Sequence, residues 1–164
     1  MSLALRWSIA AALVTAASLA GPPAFAAPGD PVAFVKSLYA QPDLWMSVVS
    51  TPEARSKYLT LELNPLVGSN RTGVFKGALA FDPLADSRTD DRPFKLSDET
   101  FKLVGSNDDG PLVEVDFKNY DHADTVTLQL ISSDTGDRWL LADVAYQAGQ
   151  TMRQLLLPAC SPEQ

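Results

Sequence analysis

Four stretches in the second half of the chain share one pattern, and it narrows the possible folds more than any other feature. Thr100 to Val104 (TFKLV), Leu112 to Tyr120 (LVEVDFKNY), Thr125 to Ser132 (TVTLQLIS) and Arg138 to Tyr146 (RWLLADVAY) alternate or are rich in β-branched and aromatic residues, as half-buried strands are. Between them stand Asn107-Asp108-Asp109-Gly110, Asp121-His122-Ala123-Asp124 and Asp134-Thr135-Gly136-Asp137, each a compact turn signal. Strands joined by links this short pair antiparallel, because a parallel pair needs a long crossover. The spacing predicts a four-stranded meander with one apolar face: Val113, Val115 and Phe117 oppose Glu114, Asp116 and Lys118, and Val126, Leu128 and Leu130 oppose Thr127 and Gln129.

An apolar sheet face needs a cover, and the amphipathic segments able to supply it lie upstream. Asp30-Pro31 opening VAFVKSLYAQ is a helix start, with Asp as N-cap and Pro where a missing N–H costs nothing. Phe34, Val35, Leu38 and Tyr39 share its face. Pro42 ends that helix, and Trp45, Val48 and Val49 form an apolar connector to Ser50-Thr51-Pro52-Glu53, the next capping signal. Tyr58, Leu59, Leu61, Leu63 and Leu66 continue as a second helix that Pro65 bends or breaks. Residues 68–73 read as a turn, within which Asn70-Arg71-Thr72 matches the N-glycosylation pattern. Residues 77–93 read as a long loop rich in Asp, the segment where function is most plausibly carried. The expectation is an α+β fold of two N-terminal helices packed on a curved four-stranded antiparallel sheet.

The first 26 residues read as a cleavable secretory signal. Arg6 is the only charge before Asp30, the run from Trp7 to Ala20 is apolar or small, and Ala24-Phe25-Ala26 supplies a small-x-small cleavage site. The run is short for a membrane span and is closed by Pro22 and Pro23, so no stable membrane insertion is expected after cleavage. Position 22 is Pro and the only cysteine is Cys160, so the chain is not a lipoprotein of the kind that needs a cysteine there. Residues 27–157 are expected as a single domain and 158–164 as a flexible tail, in the periplasm or secreted. The full sequence has 13 Lys and Arg against 20 Asp and Glu, net charge −7. Such a surface repels nucleic acid and anionic lipid. One cysteine cannot form an internal bridge; Cys160 is a free thiol on the tail or one half of an intermolecular disulfide.

Three segments carry a family resemblance: Pro31 to Tyr39 (PVAFVKSLY); Phe81-Asp82-Pro83-Leu84 with Asp86 and Asp90 behind it; and Arg138 to Tyr146 followed by Thr151-Met152-Arg153-Gln154-Leu155-Leu156. In that order the chain resembles the exported bacterial proteins grouped as DUF3828, and more widely the NTF2-like or cystatin-like cone. The resemblance implies helices held in the hollow of a bent sheet, and a family without an assigned activity. This chain departs from the family loop at Ser87-Arg88-Thr89, where a Gln commonly precedes the second aspartate.

The residues exclude more chemistry than they suggest. His122, the only histidine, falls in a turn between strands, and one His with one Cys cannot build the N/S ligand sets of zinc from a single chain. Gly-rich phosphate loops and Cys-x-x-Cys are absent from the sequence, so no cofactor is expected. Asp82, Asp86 and Asp90 form an acidic loop that could hold a hard cation, although their spacing is not that of an EF-hand. Asp143 is an acid in mid-strand. Strict alternation puts it on one face with Trp139, Leu141 and Ala145, where it is either a desolvated base or a sheet-surface charge.

Two functions follow as expectations. The first is a non-enzymatic binding module for a small apolar ligand or a protein partner, inhibitor-like or immunity-like, with Tyr39, Trp45, Phe81, Trp139 and Tyr146 at the mouth of a cavity. The alternative is a small isomerase or dehydratase using Asp143 as general base with Tyr58 or Tyr146 as hydrogen-bond donor.

Overall fold

The computed structural model describes residues 28–41, 43–72, 81–86 and 95–157. The expected leader, Pro42, most of the acidic loop including Asp90, and the tail with Cys160 lie outside these residues. Capping chemistry sets the N-terminal elements. Asp30 Oδ1 accepts from Val32 N (2.9 Å) to open α1, Pro31–Tyr39. Thr51 Oγ1 accepts from Ala54 N (3.1 Å) to open α3, Pro52–Tyr58, with Pro at its first position as read.

Where two helices were expected, four short ones precede the sheet among the described residues. The Trp45-Val48-Val49 segment is not a connector but α2, Leu44–Val49, with those three residues and Leu44 buried. The second expected helix stops early. After Tyr58 the backbone turns extended: Leu59 bridges in parallel to Leu141, and Thr60 N donates to the Leu141 carbonyl at 3.1 Å. Thr60 Oγ1 then accepts from Leu63 N (3.3 Å), and α4 runs Leu63–Thr72. Pro65 is therefore a first-turn residue, where its lost N–H has no helical partner to miss, and residues 68–72 are helical rather than a turn. Arg55 ties these pieces together: Nε donates to Asn64 Oδ1 and Nη1 to the Val49 carbonyl, both at 3.1 Å, and the guanidinium lies against Gly68. It thus satisfies a carbonyl left open at the end of α2.

The meander is present: β1 (Leu96–Asn107), β2 (Gly110–Asn119), β3 (His122–Ser132) and β4 (Trp139–Tyr146) form one antiparallel sheet in the order β1-β2-β3-β4. β1 begins four residues earlier than the sequence suggests and is exposed over most of its length. The second turn is tighter than expected, since Asn119 pairs with His122, which makes His122 the exposed first residue of β3. A fifth helix, α5 (Met152–Leu156), follows the sheet. Thr151 Oγ1 accepts from Gln154 N, and Gln154 Oε1 accepts from Thr151 N, in a complete capping box.

One buried cluster joins Val113, Val115 and Phe117 of β2 and Val126, Leu128 and Leu130 of β3 to Val35, Leu38, Trp45, Val48, Leu63, Met152 and Leu156 of the helices. The opposite sheet face is polar. Asp116 there accepts from Thr100 Oγ1 (3.2 Å) and Thr125 Oγ1 (2.7 Å), and Lys118 pairs with Asp98 at 2.7 Å.

β4 departs from strict alternation. Gln129 faces Asp143 and Leu130 faces Leu141, so Ala142 is the extra residue of a β-bulge. The bulge reverses the expected grouping: Leu141 joins Val144 and Tyr146 on the buried side, while Asp143 pairs on the face of Gln129 and Thr127. An apolar strand such as WLLADVAY gives period-2 reasoning no marker for the inserted residue.

Candidate functional site

Two places gather functional side chains. The first lies inside. Residues 81–86 fold back on the core, with Leu84 and Ala85 fully buried. Asp82 fixes the conformation: Oδ1 accepts from Leu84 N (2.9 Å), an Asx-turn across Pro83, and Oδ2 accepts from Trp45 N (3.2 Å) in the first turn of α2. Tyr39 OH donates to the Leu84 carbonyl at 2.5 Å. Phe81 meets Tyr146 edge-on at 5.9 Å, and Tyr39 meets Phe101 edge-on at 5.4 Å. Burial pushes the Asp82 carboxyl up to about 6, although the amides of Leu84, Trp45 and Ala85 favour its charged form. Burial, and then the nearby Asp82, Tyr146 and Glu99, hold the Tyr39 phenol well above its ordinary value. Tyr39 therefore stays protonated and serves as a donor.

The structure thus packs all five aromatics expected at a cavity mouth into or against the one core. Trp45 and Tyr146 belong to the core, with Tyr39 and Phe81 against it. Trp139 also packs against the core, with its indole N–H donating to the Gly29 carbonyl. Of the acidic trio, Asp82 is committed to backbone amides, Asp86 follows it in the turn, and Asp90 lies outside the described residues. Among the described residues no three of His, Cys, Asp and Glu are grouped to hold a metal ion.

Of the alternative catalytic set, Asp143 and Tyr146 are placed on opposite faces of the sheet. Asp143 Oδ1 accepts from Val144 N (2.9 Å) and Arg153 N (3.0 Å), which anchors the start of α5 to β4. Tyr58 ends α3 with the Lys57 ammonium 4.8 Å above its ring.

The second place is a groove of about 510 Å³ on the other side of β3 and β4. Gln129, Ile131, Leu140 and Ala142 form its floor; the link over residues 59–62 and the β3–β4 turn line its sides, with Arg138 and Arg153. The local structure is well tied. Asp137 Oδ1 accepts from Ser133 Oγ (2.7 Å) and Thr135 Oγ1 (2.6 Å) in the turn, and Gln129 Nε2 donates to Asp109 Oδ2 at 3.2 Å. Sequence reasoning did not single out these residues, which are scattered over nearly one hundred positions and meet only because Leu59 bridges to Leu141 and Ala142 bulges. No protein-family model, curated protein or solved structure matches the chain.

Proposed function

We propose that the chain is an exported, non-enzymatic binding domain of the NTF2-like or cystatin-like kind, and that it holds its ligand in the outer groove. The helix-then-meander order supports the cone, as does the single buried cluster shared by helices and sheet. The signal-like N-terminus supports a periplasmic or secreted location, and the three segments named above support the tie to DUF3828. One observation carries the binding reading: a groove large enough for a small ligand lies on the open sheet face, while the aromatics first assigned to ligand are engaged in packing. A protein partner is the second reading, favoured by Leu61 at the groove lip, 76% exposed.

A fragment screen read by backbone amide shifts tests this. A mixed set of small acids, amines and neutral aromatics should move the amides of Thr60, Gln129, Leu140, Ala142 and Arg153 together. Shifts gathered instead at Tyr39, Trp45, Phe81 and Tyr146 would return the ligand to the aromatic interior and reject the outer groove.

A further inference from the structure

We propose that the groove recognises carboxylate: it takes a small ligand with one carboxylate beside a compact apolar body, and Arg153 anchors the anion. This rests on the binding reading above and names its ligand class. Three arginines have described side chains. Arg55 spends its donors on Asn64 and Val49. Arg138 is 52% exposed and 4.0 Å from Asp137, so water and a loose ion pair serve it. Arg153 differs from both: it is half-buried, it lines the groove, and its guanidinium has no hydrogen bond or ion pair among the described residues.

With no protein acceptor among the described residues, the Arg153 guanidinium has its donors available to a ligand that supplies one. The backbone that carries it is fixed. The Arg153 backbone N–H is held by Asp143, and the capping box fixes the turn on which it sits. A guanidinium fork matches a carboxylate through two parallel hydrogen bonds. Thr60, 4% exposed on the same groove, accepts from Leu63 N and has a hydroxyl proton left to donate.

The remaining lining sets the rest of the ligand. Ile131, Leu140 and Ala142 give an apolar floor, and the bulged Ala142 occupies little of the space above it. Glu62, Asp109 and Asp134 also line the groove, and the whole chain is net negative. Repulsion from these acids grows with ligand charge, so phosphate esters are opposed most and a single carboxylate least, and the carboxylate depends on Arg153, with Arg138 also on the lining, to offset it.

The test uses acid and amide pairs, N-acetyl-alanine, N-acetyl-leucine and N-acetyl-phenylalanine against their amides, titrated into the purified chain by calorimetry with amide shifts as the second readout. At least one acid should bind in the groove at least tenfold more tightly than its amide. Arg153→Gln should erase that preference and Arg153→Lys keep part of it, with the melting temperature of both variants within a few degrees of the parent. Equal binding of acid and amide, or a preference that survives Arg153→Gln, overturns the carboxylate assignment. If neutral or cationic fragments still shift the groove amides in that case, the binding groove itself stands. If no fragment shifts them, both readings fall.

Discussion

Gly110→Ala is expected to destabilise the chain by about 3 kcal/mol, from backbone strain and forced overpacking together, and to lower its melting temperature by roughly 10 °C. Gly110 has φ +149°, and a Cβ there would lie 2.2 Å from the Leu130 carbonyl oxygen and 3.3 Å from its carbon. These are backbone atoms of β3 held in the ladder, so no side chain can swing aside. The residue also ends the first hairpin turn, where Asn107 Oδ1 accepts from Asp109 N and Gly110 N. Gly105→Ala is the control, since nothing lies within 4 Å of its added Cβ; it should stay within about 0.5 kcal/mol of the parent. Equal melting temperatures for the two variants would mean that the hairpin does not approach β3 this closely.

Stability should rise as pH falls from 7.5 to 5, and Asp82 should cause it. Its folded-state value of about 6 lies above the ordinary 3.8 because burial disfavours the charge. Between those values the folded chain holds a proton that the unfolded chain has released. The contribution is therefore complete below pH 4 and is lost as pH rises through 6. A shift of about two units corresponds to roughly 3 kcal/mol at most. Urea midpoints at pH 5 and pH 7.5 read the effect directly. Asp82→Asn should flatten the profile, being less stable than the parent mainly at the lower pH. A parent whose stability is flat or falls over that interval would show that Asp82 is not desolvated beneath the 81–86 turn.

The meander was legible because its signals are local. Alternation assigned both faces of β2 and β3, and the Asn-Asp-Asp-Gly turn placed the first hairpin. The errors came where a tertiary contact decides a local outcome. Pro65 reads as a helix breaker, yet the break falls at Leu59, where pairing to β4 outweighs helix continuation. Short α2 and α5 lack the length that makes periodicity persuasive, although the Thr151–Gln154 capping box was present to be noticed. Asp143 stood out correctly as an acid in an apolar strand. Its partner, the Arg153 amide, could not be inferred without the bulge that turns it toward α5. The groove was invisible for the same reason, since its residues become neighbours only through long-range pairing.

The division of the molecule follows from these contacts. Asp82, Tyr39 and the aromatics close the interior, and the polar sheet face beside α5 carries the open groove. Hydroxyl-radical footprinting of the folded chain, read residue by residue by mass spectrometry, tests that division most directly by comparing side chains of the same chemistry. Tyr146 (4% exposed), Met152 (0%) and Leu141 (0%) should react far more slowly than Tyr120 (43%), Met46 (49%) and Leu61 (76%), and added groove ligand should protect Leu61 and Leu140. Fast modification of Trp45 and Tyr146 that the ligand suppresses, with Leu61 and Leu140 unaffected by it, would place the open site in the interior and contradict the account.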